Sequence, residues 1–304
     1  MTGIEQGMSD TGISANSRVG NQEYTALLSS ASGRRLIGFA GASLPKRKRL
    51  LIQCVLVGIL LAGWQFLPMI NILSHHIRLL NSFYISSPSD VYSWILKLMF
   101  GAKGTPVVWP YLYNTVIGAV VGSAIGVAVG AAAGLVLSES RSVSQVIQPF
   151  VVVANSVPRI ALIPIVVLIV GPTIESSIVS VILVVFFLAF FNAFEGGKNI
   201  RQPMIENAVL LGASRWNIMW DLRAPNVILW TFAVVPNAIS FGIVVAVTNE
   251  LLTGLNGMGA LLLTATTNLE AGLTFAVIVV LSVVGVSLYA VAEVGRRKVV
   301  RWLA

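Results

Sequence analysis

Six apolar runs stand out along the chain, at 50–69, 114–137, 150–170, 174–194, 226–247 and 273–294. Each approaches or exceeds the ~20 residues a helix needs to cross a ~30 Å hydrocarbon layer. The pattern predicts an all-α, polytopic membrane protein with six spans. Between the first two runs, Ser87-Pro88-Ser89-Asp90 has the makings of a helix start: a capping hydroxyl, proline at the first position and an acid in the first turn. Val91, Tyr92, Ile95, Leu98 and Met99 then recur at helical spacing, predicting a short amphipathic helix along the outer interface. Trp109, Tyr111 and Tyr113 form an aromatic belt at the mouth of the second span.

Two spans carry internal detail. In the second, Gly118, Gly122, Gly126, Gly130 and Gly134 repeat every four residues, which on a helix makes one smooth stripe. Close packing of another helix accounts for it better than a pore face. The third contains Pro158 and Pro164, and proline inside a span removes a backbone hydrogen bond. Irregular backbone persists in a membrane only where protein or a water-filled cavity covers it. Asn155, Ser156, Pro158, Arg159 and Pro164 are therefore candidates for lining a translocation pathway, although a kink used only for packing would leave the same pattern. Asn237 beside Pro236 in the fifth span, and Asn249, Glu250 and Gly257 after it, are further candidates for the pathway or a gate.

Composition narrows the class. Of 304 residues 56% are hydrophobic and 11% charged, against ~25% charged in soluble domains. The net charge of +8 reflects where basic residues sit relative to the bilayer rather than a nucleic-acid partner. With the amino terminus inside, seven Lys and Arg precede the first span; the later inner segments hold one, four and four. Arg159 lies near that same face, and the outer segments hold three: Arg78, Lys97 and Lys103. Basic-residue bias thus places both termini in the cytoplasm. Lys46-Arg47-Lys48-Arg49 anchors the first span, and residues 1–45, rich in Ser, Gly, Thr and Asn, read as a flexible cytoplasmic tail. The one cysteine, Cys54, excludes a disulfide framework within the chain, and the adjacent His75 and His76 make a poor metal pair.

A polar, basic stretch separates the fourth and fifth spans. Glu206 to Leu211 has good helix formers with an acid at its start, and Gly212 is suited to ending a helix in the left-handed conformation. Ser214 is placed to cap a second helix that begins at Arg215 and stops near Pro225. Such a helix–Gly–helix elbow makes a docking knob; a solvated connecting loop has the same composition.

This stretch resembles the cytoplasmic loop of ATP-binding-cassette importer permeases, which runs E-A-A, three residues, G, nine residues, I-x-L-P. Glu206, Ala208, Gly212 and Pro225 fall on that spacing, with Asn207, Leu222 and Ala224 as departures. The string Pro158 to Pro164 is similar to the nitrate, sulfonate and taurine branch, and Glu250 followed by Gly257 and Gly259 is similar to the segment after the family's fifth span. The resemblance implies a type I importer-like permease in a bacterial inner membrane, with a coupling loop at about 198–225 inside a 46–304 permease domain. It implies that Glu206, Asn207, Ala208, Gly212, Ala213, Ser214, Arg215 and Pro225 serve ATPase coupling. The partners it implies are a second permease copy, two cytoplasmic ATP-binding subunits, an external substrate-binding protein and membrane lipid. The solute would be a small one, such as a sulfonate, taurine or nitrate, moved by alternating access. ATP and Mg would belong to the partner ATPase, with no cofactor or metal on this chain.

No G-x-x-x-x-G-K-[ST] phosphate loop, H-E-x-x-H or G-x-S-x-G occurs, so no catalytic residue is expected. Gly196-Gly197-Lys198 lacks the first glycine and is expected in a connecting loop. Span centres carry no acid, which weakens an ion-coupled carrier or channel, the main alternative.

Overall fold

The computed structural model describes residues 45–66, 86–101, 104–139 and 141–303. The expected tail before residue 45, the histidine pair, Arg78, Lys103 and residues 67–69 of the first run lie outside the described residues. The chain divides into two compact units, Met1–Ala62 and Gly63–Ala304. Helix α1 (Lys46–Phe66) holds the first span, and its residues up to 62 belong to the first unit.

Among its described residues the second unit is built of helices joined by short turns, with no strand. Helix α2 (Pro88–Phe100) starts as its sequence dictates, with Ser87 Oγ accepting from the Asp90 amide and a left-handed Gly101 closing it. Helices α3 (Val108–Leu137) and α4 (Arg141–Ser156), a 3₁₀ turn (Arg159–Leu162) and α5 (Ile163–Val170) follow. Next come α6 (Ile174–Lys198), α7 (Gln202–Leu210), α8 (Arg215–Asn217), a π-helical turn (Ile218–Arg223), α9 (Ala224–Thr253), α10 (Met258–Thr267) and α11 (Ala271–Leu303). Five helices are long and apolar enough to cross a membrane, and the bent pair α4–α5 makes a sixth if it counts as one span.

The core is the layer where α3, α6 and α9 meet. Added to Gly122, a Cβ would stand 2.6 Å from Val181 Cβ; at Gly130 it would stand 2.5 Å from Phe186 O, and at Gly134 2.6 Å from Ala193 Cβ. The glycine stripe is therefore closed along its length by α6, as expected for packing and not for a pore. Around it Ala119, Val181, Val185, Ala238 and Ala246 are buried. A second cluster gathers Val91 and Leu98 of α2, Val108 of α3, Met258 and Leu261 of α10, and Ala276 and Val277 of α11. Trp64 stacks on Phe275 at its edge, with ring centroids 5.6 Å apart.

Several expectations need correction. The third span starts before residue 150 and is broken, one of the two outcomes its prolines allow. Its chain is helical from Arg141, breaks at Val157–Pro158, and its two halves meet at 80°. Pro158 cannot supply the N–H that would continue the ladder, and Pro164 sits in the first turn of α5, where that N–H is not needed. Gly196-Gly197-Lys198 lies in the last turn of α6, not in a loop. There the glycines let Trp230 and Ser138 approach the α6 backbone. The stretch after the fifth apolar run holds α10, whose apolar face is buried against α2, α3 and α11. Trp109, Tyr111 and Tyr113 lie inside the first turns of α3 rather than before it.

Candidate functional site: an exposed elbow, a broken span and a buried latch

The elbow is built by its own hydrogen bonds. Helix α7 starts at Gln202, with Pro203 in its first turn, so Glu206 sits mid-helix rather than at the start. At its far end Gly212 takes φ +82°. The Ala213 amide donates to Ala208 O and the Gly212 amide to Val209 O, both at 2.9 Å. This double closure is a Schellman motif, which satisfies carbonyls the helix end would leave open. Two residues on, the Asn217 amide donates to Ser214 Oγ at 3.2 Å, capping α8. The second elbow helix does not stop near Pro225. The chain is helical from Arg215 to Thr253, and the Ala224 amide reaches Met219 O in a π turn. That widened turn sits where the proline ring would clash with a carbonyl one turn back, so the knob joins the fifth span without a break.

What the elbow presents is apolar and uncovered. Leu210 is 84% exposed, Leu211 89% and Trp216 70%. Glu206, Asn207 and Arg215 are also exposed around them, while Ala208 and Ala213 are half-buried.

The broken span brings part of the pathway set together. Pro158 and Arg159 line a hollow of about 380 Å³ with Val184 and Leu188 of α6 and Phe241, Val244 and Val245 of α9. The Arg159 guanidinium lies 5.4 Å from the Phe191 ring centroid and 5.9 Å from that of Phe187, within cation–π reach. Asn237 is exposed on the same face of α9 as Phe241 and Val244 but does not line the hollow. Ser156 bonds back to Val152 O at 3.0 Å, Pro164 is exposed, and the side chain of Asn155 is outside the described residues.

Asn249, Glu250 and Gly257 form a separate cluster at the other end of the bundle. Both Asn249 and Glu250 are buried. Thr115 Oγ1 lies 2.8 and 2.9 Å from the two Glu250 carboxyl oxygens and accepts from the Met258 amide at 2.9 Å. The Gly259 amide donates to Glu250 Oε2 at 2.9 Å. Gly257 packs directly on that carboxyl, leaving no room for a Cβ. Asn249 Nδ2 donates to Ser180 Oγ at 3.1 Å, and Asn114 Nδ2 to Asn256 O at 2.5 Å. The cluster thus latches α3, α6, α9 and α10 to one another. Thr115, Ser176 and Ser180 were not singled out from the sequence, because single hydroxyls within apolar runs carry no local signal.

Among the described residues the chain is a helical membrane bundle with a broken span and a surface elbow, and comparison with known proteins gives its family. Residues 122–301 match the family described as binding-protein-dependent transport system inner membrane component, and the chain belongs to it. It is 25% identical over 241 residues to a probable ABC transporter permease protein of Haemophilus influenzae, covering 79% of this chain and 93% of that protein. Against the riboflavin transport system permease protein RibX of Chloroflexus aurantiacus the identity is 29% over 203 residues, with 67% and 76% covered. The taurine transport system permease protein TauC of Escherichia coli is 21% identical over 228 residues, with 74% and 82% covered. In fold the chain is similar to the inward-facing MetNI methionine ABC transporter, with a TM-score of 0.54 at 17% identity, covering 63% of this chain and 96% of that one. The chain is the permease subunit of an ABC importer, an inner-membrane component, and not itself an enzyme.

Proposed function

We propose that two copies of this permease form the pathway, that both termini face the cytoplasm, and that the elbow is the handle gripped by the ATPase. The observation that carries the reading is the exposed apolar tip Leu210–Leu211–Trp216, held rigid by the Gly212 closure and the Ser214 cap. Exposed aliphatic and aromatic anchors beside a polar rim are what a protein partner buries. Because α8, the π turn and α9 are one continuous helix, displacement of the knob passes directly to the fifth span. Glu206, Asn207, Ala208, Ala213 and Arg215 form the rim of that contact, and Pro225 lies in the stem.

The solute is a small organic anion. The taurine permease among the relatives fits a sulfonate; the relatives RibX and, from Halalkalibacterium halodurans, ThiX are named for riboflavin and formylaminopyrimidine transport. An external binding protein delivers the solute, and selectivity is shared with it. Asn249, Glu250 and Gly257 act in gating as a rigid latch rather than as groups that touch solute.

Copurification with the ATPase tests the handle. Leu211→Asp should abolish copurification while the permease stays folded in the membrane. Unchanged recovery of the ATPase with that variant overturns the assignment.

A further inference from the structure

A second hollow, of about 350 Å³, lies where the elbow-side ends of α3, α4 and α6 meet the start of α7. Its wall carries Ser144, Gln145 and Gln148 from α4, Lys198 from the end of α6, Gln202 from α7 and Arg223 from the π turn. Those side chains supply two cations and three amides, and among the described residues no carboxylate lines the hollow. The first turns of two helices, α4 and α7, face onto it through Ser144, Gln145 and Gln202, and α7 has no side-chain cap at its start. A helix start adds a positive potential.

Capping of helix ends explains part of this set. Arg223 Nη1 donates to Ser138 O at the end of α3, and Lys198 pairs with Glu195 one turn back at 3.7 Å. Glu139 also acts on Arg223 electrostatically. Capping does not explain Ser144. That residue is only 5% exposed, lines the hollow, and its hydroxyl has no hydrogen-bond partner among the described residues. An orphaned hydroxyl in a buried site costs about 1–3 kcal/mol unless something bonds to it. Nor does capping explain Gln148, one turn along α4 from Ser144: its Oε1, 3.5 Å from Lys198 Nζ, turns its acceptor to the lysine. Its amide nitrogen is then left available as a donor.

We propose that this hollow is an anion site for a phosphoryl group, with Ser144, Lys198 and Arg223 as its principal donors. A tetrahedral, multiply charged oxyanion uses cations, a hydroxyl and helix starts together. The chemistry has two sources, a soluble phosphate or the headgroup of an anionic phospholipid at this face. Bound there, the group ties α4 and α6 to Gln202 of α7, so it braces the knob from behind. Only that consequence rests on the coupling assignment. The site itself stands apart from it.

Binding is read on the full-length permease, independently of transport. The delipidated protein in a neutral detergent is titrated with inorganic phosphate at constant ionic strength, and its Tm recorded against chloride. In parallel it is placed in nanodiscs of phosphatidylcholine with or without phosphatidylglycerol, and retained phospholipid is counted by native mass spectrometry. Saturable stabilisation by phosphate, weakened about tenfold or more in Ser144→Ala and in Lys198→Gln, assigns the site to a soluble anion. Retention of phosphatidylglycerol by the wild type, lost in the same variants, assigns it to the headgroup. Phosphate and lipid responses identical in wild type, Ser144→Ala and Lys198→Gln overturn the proposal. Ser144→Ala removes one oxygen at a half-turn contact, and should it fail to fold, Gln145→Ala on the same wall provides the same comparison.

Discussion

Replacing Gly212 isolates the elbow's geometry from its chemistry. Gly212 sits at φ +82°, and a Cβ added there meets nothing within 4 Å, so any penalty comes from the backbone alone. An L-residue held in the left-handed region costs about 1–2 kcal/mol, which corresponds to about 5- to 30-fold in a population. Because the elbow is exposed, that cost falls on how often the knob holds its docking shape and not on packing of the bundle. Gly212→Ala should weaken equilibrium binding of the purified ATPase to permease in nanodiscs by about that factor. Gly212→Val should be worse, since a β-branched side chain tolerates the left-handed region least. Gly212→Asn should retain most of the affinity, because asparagine visits this region at little cost. Raising the ATPase concentration should restore solute-stimulated hydrolysis in the alanine variant, as mass action requires. Equal affinities for the asparagine and valine variants would show that the closure at Gly212 has no part in docking.

The remaining predictions follow from packing and orientation. Glu250→Ala leaves Thr115 and the Gly259 amide without their buried acceptor, so Tm in detergent should fall by an amount equivalent to about 1–3 kcal/mol. Glu250→Gln keeps an acceptor oxygen and should lose less; equal Tm values for both variants and wild type would refute the latch. Gly130→Val drives a side chain into the α6 backbone and should cost more than the ~1–3 kcal/mol of ordinary overpacking, seen as loss of folded protein on size exclusion. Gly58→Ala, where nothing lies within 4 Å, is the matched control and should be neutral. For orientation, Leu210→Cys in a Cys54→Ser background should react with a membrane-impermeant maleimide in inverted vesicles and not in intact cells. Labelling from outside reverses the proposed topology.

Hydropathy and spacing alone determined the class of the chain: apolar runs of bilayer length, a glycine stripe with one packing face, and a Glu–Gly–Pro elbow between the fourth and fifth spans. Those features are local, because helix length, the left-handed glycine and the Ser214 cap each depend on residues within a few positions. Pro158 marked the break in the third span, but its 80° bend depends on what α6 and α9 leave room for. The course of Pro225 was misread for a related reason. A proline stops a regular α-helix, and whether a π turn instead carries the helix past it depends on the packing of the stem. Only the tertiary structure decided that Glu250 is a buried latch, since its partners Thr115 and Gly259 lie 135 and 9 residues away. It alone showed that Ser144 lies buried beside Lys198 and Arg223, without a partner among the described residues. Contacts of that kind join residues far apart in the chain, so no local pattern of hydrophobic and polar positions encodes them.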